Sequence, residues 1–132
     1  MNTRAVNKSL IINNVPLEEI KITQTAVEVR IDDINERRYC ITFKPYQAVK
    51  VITSDCFDKS ILLDSDNYSF GRYKRYILEA LDSEWIDMMK STLKSNDENA
   101  VFLETARHFI LDLGDNILEI ISTDIEIEEE SI

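Results

Sequence analysis

Few side chains in this sequence can do chemistry on their own. His108 is the only imidazole among 132 residues, and Cys40 and Cys56 are the only thiols. A serine or cysteine nucleophile needs a neighbouring base to be activated. Only His108 could serve as an imidazole base, and no nucleophile-elbow sequence surrounds it, so a histidine inside an alternating strand pattern reads as a packed or half-exposed pairing residue. One histidine and two separated cysteines reproduce no zinc-ligand spacing. Asp64-Ser-Asp-Asn67 opens like a calcium loop, but Ser69 stands where the turn needs glycine and Arg75 where a glutamate should chelate. Phosphate-cradling loops cluster their glycines so that backbone N–H groups can approach an anion, whereas Gly71 and Gly114 stand alone. Carboxylates are so abundant that chance pairs carry no weight. The expectation is a chain that is not an enzyme and has no cofactor and no metal.

One stretch has the composition of a nucleic-acid contact. Tyr68-Ser-Phe-Gly-Arg-Tyr-Lys-Arg-Tyr76 interleaves aromatic rings that could stack bases with cations that could neutralise phosphates. The bland alternative is a loop entering a strand, aromatics inward and cations solvated; pairing with acids elsewhere in the chain, or with an acidic spot on a protein partner, is a third use. Charge decides against direct nucleic-acid binding. Residues 1–78 carry 12 basic and 10 acidic groups (net +2), and residues 79–132 carry 3 basic and 15 acidic (net −12), so the chain's −10 comes from its C-terminal part. Such a field repels nucleic acid, anionic membranes and anionic substrates, and favours basic partners.

The elements that must position these residues are a sheet and a helix. Apolar residues make up 44% and charged residues 30%, a globular balance, and no run approaches the roughly 18 apolar residues of a membrane span. No domain boundary is visible, so 1–132 reads as one α+β domain with an acidic C-terminal end. Before Asn13 the N-terminus lacks the apolar run of a secretory signal, and the expected location is cytoplasmic. Val27, Val29 and Ile31 alternate with Glu28, Arg30 and Asp32, and Tyr39, Ile41 and Phe43 with Arg38, Cys40 and Thr42, around a polar turn at Asp33-Ile-Asn-Glu36. A second turn is expected at Lys44-Pro-Tyr-Gln47, pairing Ile41–Phe43 with Val49–Val51 in an antiparallel meander. That register would set Cys40 too far from Cys56 for a disulfide.

Tyr76–Ser83 fits strand or helix equally. Asp82 or Ser83 is a fitting N-cap for a helix over Glu84–Lys94, with acids in its first turn, lysines in its last, and an apolar face of Trp85, Ile86, Met89 and Leu93. Then comes a hairpin, Arg107–Leu113 and Asn116–Ser122 joined by Gly114-Asp115. A type II′ turn pairs Leu111 with Leu118 and Phe109 with Ile120. Its face of Phe109, Leu111, Leu113, Leu118 and Ile120 is expected to pack on the helix. Ile125 and Ile127 alternate in the opposite phase, which requires a bulge or bend at Ser122-Thr123. The expected fold is therefore an antiparallel sheet, N-terminal meander plus C-terminal hairpin, packed against one or two helices.

Three stretches carry a likeness: Phe43-Lys-Pro-Tyr-Gln-Ala-Val-Lys-Val-Ile-Thr-Ser-Asp-Cys-Phe57, Asp82-Ser-Glu-Trp-Ile86, and Arg107-His-Phe-Ile-Leu-Asp-Leu-Gly-Asp-Asn-Ile-Leu-Glu-Ile-Ile121. In these the chain resembles small bacterial proteins of unknown or immunity-type function from polymorphic-toxin loci. The resemblance implies occlusion of a cognate toxin, with no catalytic residues to carry over. An acidic surface suits a basic toxin, because complementary fields speed encounter and penalise wrong partners. The expected contact residues are Asp112, Glu119, Asp124, Glu126 and Glu128. A housekeeping interaction module, a homodimer joined through the Ile125 and Ile127 edge, and an acidic DNA mimic are the alternatives.

Overall fold

The computed structural model describes residues 2–63, 68–69 and 72–130. The first alternating stretch forms β3 (Val27–Asp32), with Val27, Val29 and Ile31 fully buried. A tight turn leads into β4 (Arg38–Thr53): the Asp33 carboxylate accepts the N–H groups of Asn35 and Arg37, each at 2.9 Å, and Glu36 takes the left-handed conformation at φ 62°. β2 (Glu19–Ile22) lies on the outer side of β3.

The turn expected at Lys44-Pro45-Tyr46-Gln47 does not exist. β4 runs for 16 residues straight through it, with a cis Lys44–Pro45 bond, and its register against β9 (Asn116–Glu129) slips between Tyr46 and Ala48. Proline and polar residues suit a β-bulge as well as a turn, and a bulge bends a strand without reversing it. Ile41–Phe43 and Val49–Val51 therefore never meet; both pair with β9, Phe43 opposite Ile125 and Val49 opposite Ile120. Cys40 and Cys56 are free thiols, kept apart by the length of β4 and not by a hairpin offset.

The main sheet is antiparallel and seven-stranded, in the order β1 (Thr3–Ala5), β7 (Leu78–Ala80), β8 (Arg107–Asp112), β9, β4, β3, β2; β5 (Tyr68–Ser69) and β6 (Arg72–Tyr73) pair separately. With α1 (Glu84–Asn96), the one α-helix among the described residues, this is an α+β fold. Gly114, at φ 97°, turns the β8–β9 hairpin, and Leu111 pairs with Leu118 and Phe109 with Ile120 as the type II′ turn requires. Ile120 and Ile125 both contribute to one core despite their opposite phases. Beside this point the register of β4 against β9 shifts, with the extra residue on β4 at Gln47.

β4 and β9 are long enough to belong to two halves of the sheet, and they bend at this corner, so one half folds over the other. Val27, Val29, Ile31, Ile41 and Phe43 on one side meet Phe109, Leu111, Leu113, Leu118 and Ile120 on the other. The Phe43 and Phe109 ring centroids are 5.3 Å apart. Leu10 and Ile12 join this core from an N-terminal segment tied to both flanks, Ile12 N–H to Arg75 O at 2.8 Å and Asn13 N–H to Asp32 O at 3.0 Å.

The apolar hairpin face is thus covered by the meander, not by the helix as its composition implied. α1 lies on the opposite face, beside His108 and Glu119, while Ile110 and Ile117 there pack with Leu62, Tyr76, Leu78 and Ala80. Three 3-10 turns, Ser54–Cys56, Lys59–Leu62 and Phe102–Thr105, complete the described elements. No helix among the described residues is long and apolar enough to cross a membrane. Asp64–Asn67, Phe70, Gly71 and the side chains of Tyr68, Ser69 and Arg72 lie outside the described residues, and with them the calcium-like opening and part of the aromatic–basic stretch.

Candidate functional site

The five acids singled out from the charge imbalance fall into two groups. Asp112 is buried: Arg75 Nε lies 3.3 Å from its Oδ2, and its Oδ1 accepts the Gly114 N–H at 2.9 Å. Arg75 comes from the aromatic–basic stretch, so one of its cations serves an intramolecular pair. Glu119 is also buried and faces α1. Asp124, Glu126 and Glu128 alternate along the second half of β9, exposed on its outer side opposite Lys44, Thr42 and Cys40. Lys44 Nζ is 4.0 Å from Glu126, and the charges of Arg107 and Asp124 act on each other. These three form a continuous acidic row; Asp112 and Glu119 do not belong to it.

Glu119 ends a buried relay that fixes the start of α1. Ser83 caps the helix, its Oγ accepting the Ile86 N–H at 3.1 Å and lying 2.7 Å from His108 Nδ1. His108 Nε2 is 2.8 Å from Glu119 Oε1, and Lys50 Nζ is 3.2 Å from Glu119 Oε2. Lys50 also sits over the Trp85 ring at 4.3 Å, and Trp85 meets His108 edge-on at 5.4 Å between centroids. Burial works to raise the Glu119 pKa, but the His108 hydrogen bond and the Lys50 charge outweigh it and hold the carboxyl below the ordinary glutamate range. The Ser83 hydroxyl, both ring nitrogens of His108 and both carboxylate oxygens of Glu119 thus each have a polar partner within the relay.

Another buried acid, Glu79, binds Arg107 through two contacts at 3.0 and 2.8 Å and Arg4 at 3.0 Å. Arg107 holds the Glu79 carboxyl below its ordinary range against the opposing effect of burial, and Arg4 adds to the effect. Among the described residues no three His, Cys, Asp or Glu side chains converge where they could hold a metal ion.

Beside the relay an apolar groove of about 340 Å³ opens to solvent between α1 and the Phe102–Thr105 turn, lined by Trp85, Met88, Met89, Leu93, Phe102 and, from the β4 bulge, Gln47. Only Ile86 of the helix is buried; Met88 is 69% and Phe102 52% exposed. Reading Trp85, Met89 and Leu93 as a core face missed this groove. The signal was Met88, together with Val101-Phe102 after the helix, which is more apolar surface than one packed face uses.

The fold and these side chains define an α+β domain with an apolar groove and an acidic row on its outer surface. Comparison with family models, with curated proteins and with solved structures finds no match.

Proposed function

We propose that this chain is a non-catalytic protein-binding domain and, within that class, an immunity-type protein that neutralises a basic toxin by covering it. The groove on α1 carries the binding role. Met88 and Phe102, at 69% and 52% exposure, hold apolar surface in water, and contiguous exposed apolar surface marks a place that another molecule covers. Flexible methionines adapt to a partner's shape. The Asp124, Glu126 and Glu128 row and the net −12 of residues 79–132 favour a basic partner. Asp112 and Glu119, held in internal pairs, support this surface without contacting the partner.

The relay supports a non-catalytic reading. Ser83 Oγ is occupied by the Ile86 N–H and by His108, and to attack a substrate it would have to uncap the helix. The toxin-neutralising role rests on the sequence resemblance, and the cytoplasm is the compartment in which Cys40 and Cys56 would stay reduced.

The test uses the tagged parent and a Met88→Asp/Phe102→Asp variant as baits in native lysate. The expected result is one basic protein, retained stoichiometrically by the parent and lost from the folded variant. Equal retention by both baits, retention of many nucleic-acid-binding proteins as a DNA mimic would give, or self-association of the chain alone would refute the proposal.

A further inference from the structure

The sheet has an unfinished edge at its acidic end. β8 stops at Arg107, opposite Ser122, whereas β4 follows β9 as far as Tyr39 opposite Glu129. Among the described residues, 123–129 therefore have a strand neighbour on one side only. The bond from Glu130 N–H to Arg38 O, at 2.8 Å, fixes which groups are spare. In an antiparallel ladder alternate residues turn both backbone groups to the same neighbour. Asp124, Glu126 and Glu128 thus bond toward β4, and Ile125, Ile127 and Glu129 point N–H and C=O outward. The side chains alternate too, with the three carboxylates exposed and Ile125 and Ile127 half-buried against the core. An unpaired edge of this kind is a template for another strand.

We propose that residues 123–129 receive an extended basic segment of the partner by strand addition. The inference rests on the protein-binding reading above and names where the partner's backbone is held. Charge selects the occupant. A second copy pairing antiparallel through this edge would set Asp124, Glu126 and Glu128 against like carboxylates, which destabilises cross-strand pairs. A segment with Lys or Arg at alternate positions meets the acids with opposite charge and places apolar side chains over Ile125 and Ile127. Neither outer strand of the sheet offers such selection, since β1 carries the cation Arg4 and β2 carries both signs in Glu19 and Lys21.

The probe is a short end-labelled peptide alternating lysine with valine, titrated with the full chain at low salt and followed by fluorescence anisotropy. It is compared with a glutamate-for-lysine peptide, with a peptide N-methylated along one backbone edge, and with two variants of the chain. Glu129→Pro removes an outward N–H without touching the β4 ladder; Glu129→Gln removes only the charge. The lysine peptide is expected to bind, the other two peptides to fail, and Glu129→Pro to bind about fivefold to tenfold more weakly than Glu129→Gln, as loss of one edge hydrogen bond implies.

No binding of the lysine peptide overturns the proposal. So does equal binding of the N-methylated peptide, or equal affinity of the two variants, which is also the result if the peptide prefers β2. Should Glu129→Pro not fold, the N-methylated peptide on the parent chain decides. The peptide does not need the groove, so a Met88→Asp chain that has lost its partner still holds the peptide, and the two readings fail separately.

Discussion

Removing the Ser83 hydroxyl takes away two interactions at once, the cap bond to Ile86 N–H at 3.1 Å and the 2.7 Å contact with His108 Nδ1. An N-cap bond contributes about 1 kcal/mol. The His108 side chain is only 3% exposed, so its Nδ1 would be left without water or partner, at about 1–3 kcal/mol. Ser83→Ala is therefore expected to cost about 2–4 kcal/mol, beyond what an exposed cap gives up. Trp85, the only tryptophan, lies edge-on to His108 at 5.4 Å and reports the site directly. Urea unfolding followed by its fluorescence measures the loss. A cycle with His108→Leu should show about 1 kcal/mol or more of coupling between the two positions. A loss of about 1 kcal/mol or less, with additive effects, would refute the relay as the anchor of α1.

Leu111→Ala, at a position with no exposure between Leu118 and the meander, should cost about 2–5 kcal/mol in the same assay, and a variant as stable as the parent would contradict the packing of the two sheet halves. Glu79 and Glu119 both have depressed pKa values in the folded chain; their stabilisation is fully present above the ordinary glutamate range and is lost as pH falls through the folded values. Thermal melts should show Glu79→Gln and Glu119→Gln less stable than the parent near neutrality and less sensitive to acid, and parallel pH profiles would count against these pairs. Reversing Glu126 and Glu128 to Lys should slow association with the partner about tenfold at low salt and flatten its salt dependence, with the melting temperature retained. An unchanged association rate would leave the row as a solvating face.

Local signals in the sequence were read correctly where a few neighbouring residues decide the outcome. Gly114 sets the hairpin turn and with it the Phe109–Ile120 register, and Ser83 ahead of an acidic first turn starts α1. Long-range geometry was not legible. Pro45 and Gln47 serve a bulge with the residues of a turn, and only the partner strand distinguishes the two. Both faces of the hairpin are largely apolar, so composition does not say which takes the helix; the bend of β4 and β9 does. Asp112 and Glu119 looked like surface charge because their partners, Arg75 and Lys50, lie far back in the chain. Asp124, Glu126 and Glu128 are exposed as an alternating row predicts.

β9 follows every other described strand along the chain, yet it stands fourth of seven across the sheet. Its arrival joins Glu129 to Tyr39 and Ile120 to Phe109, and so closes both halves together. Until then Ile41 and Phe43 have no strand to cover them from that side, and β8 has no hairpin. A topology so dependent on distant pairings folds slowly, and its unpaired apolar strands are open to aggregation meanwhile. The two halves of the sheet thus stay unjoined until the ribosome has made β9. Folding awaits β9, the same strand that carries the acidic row.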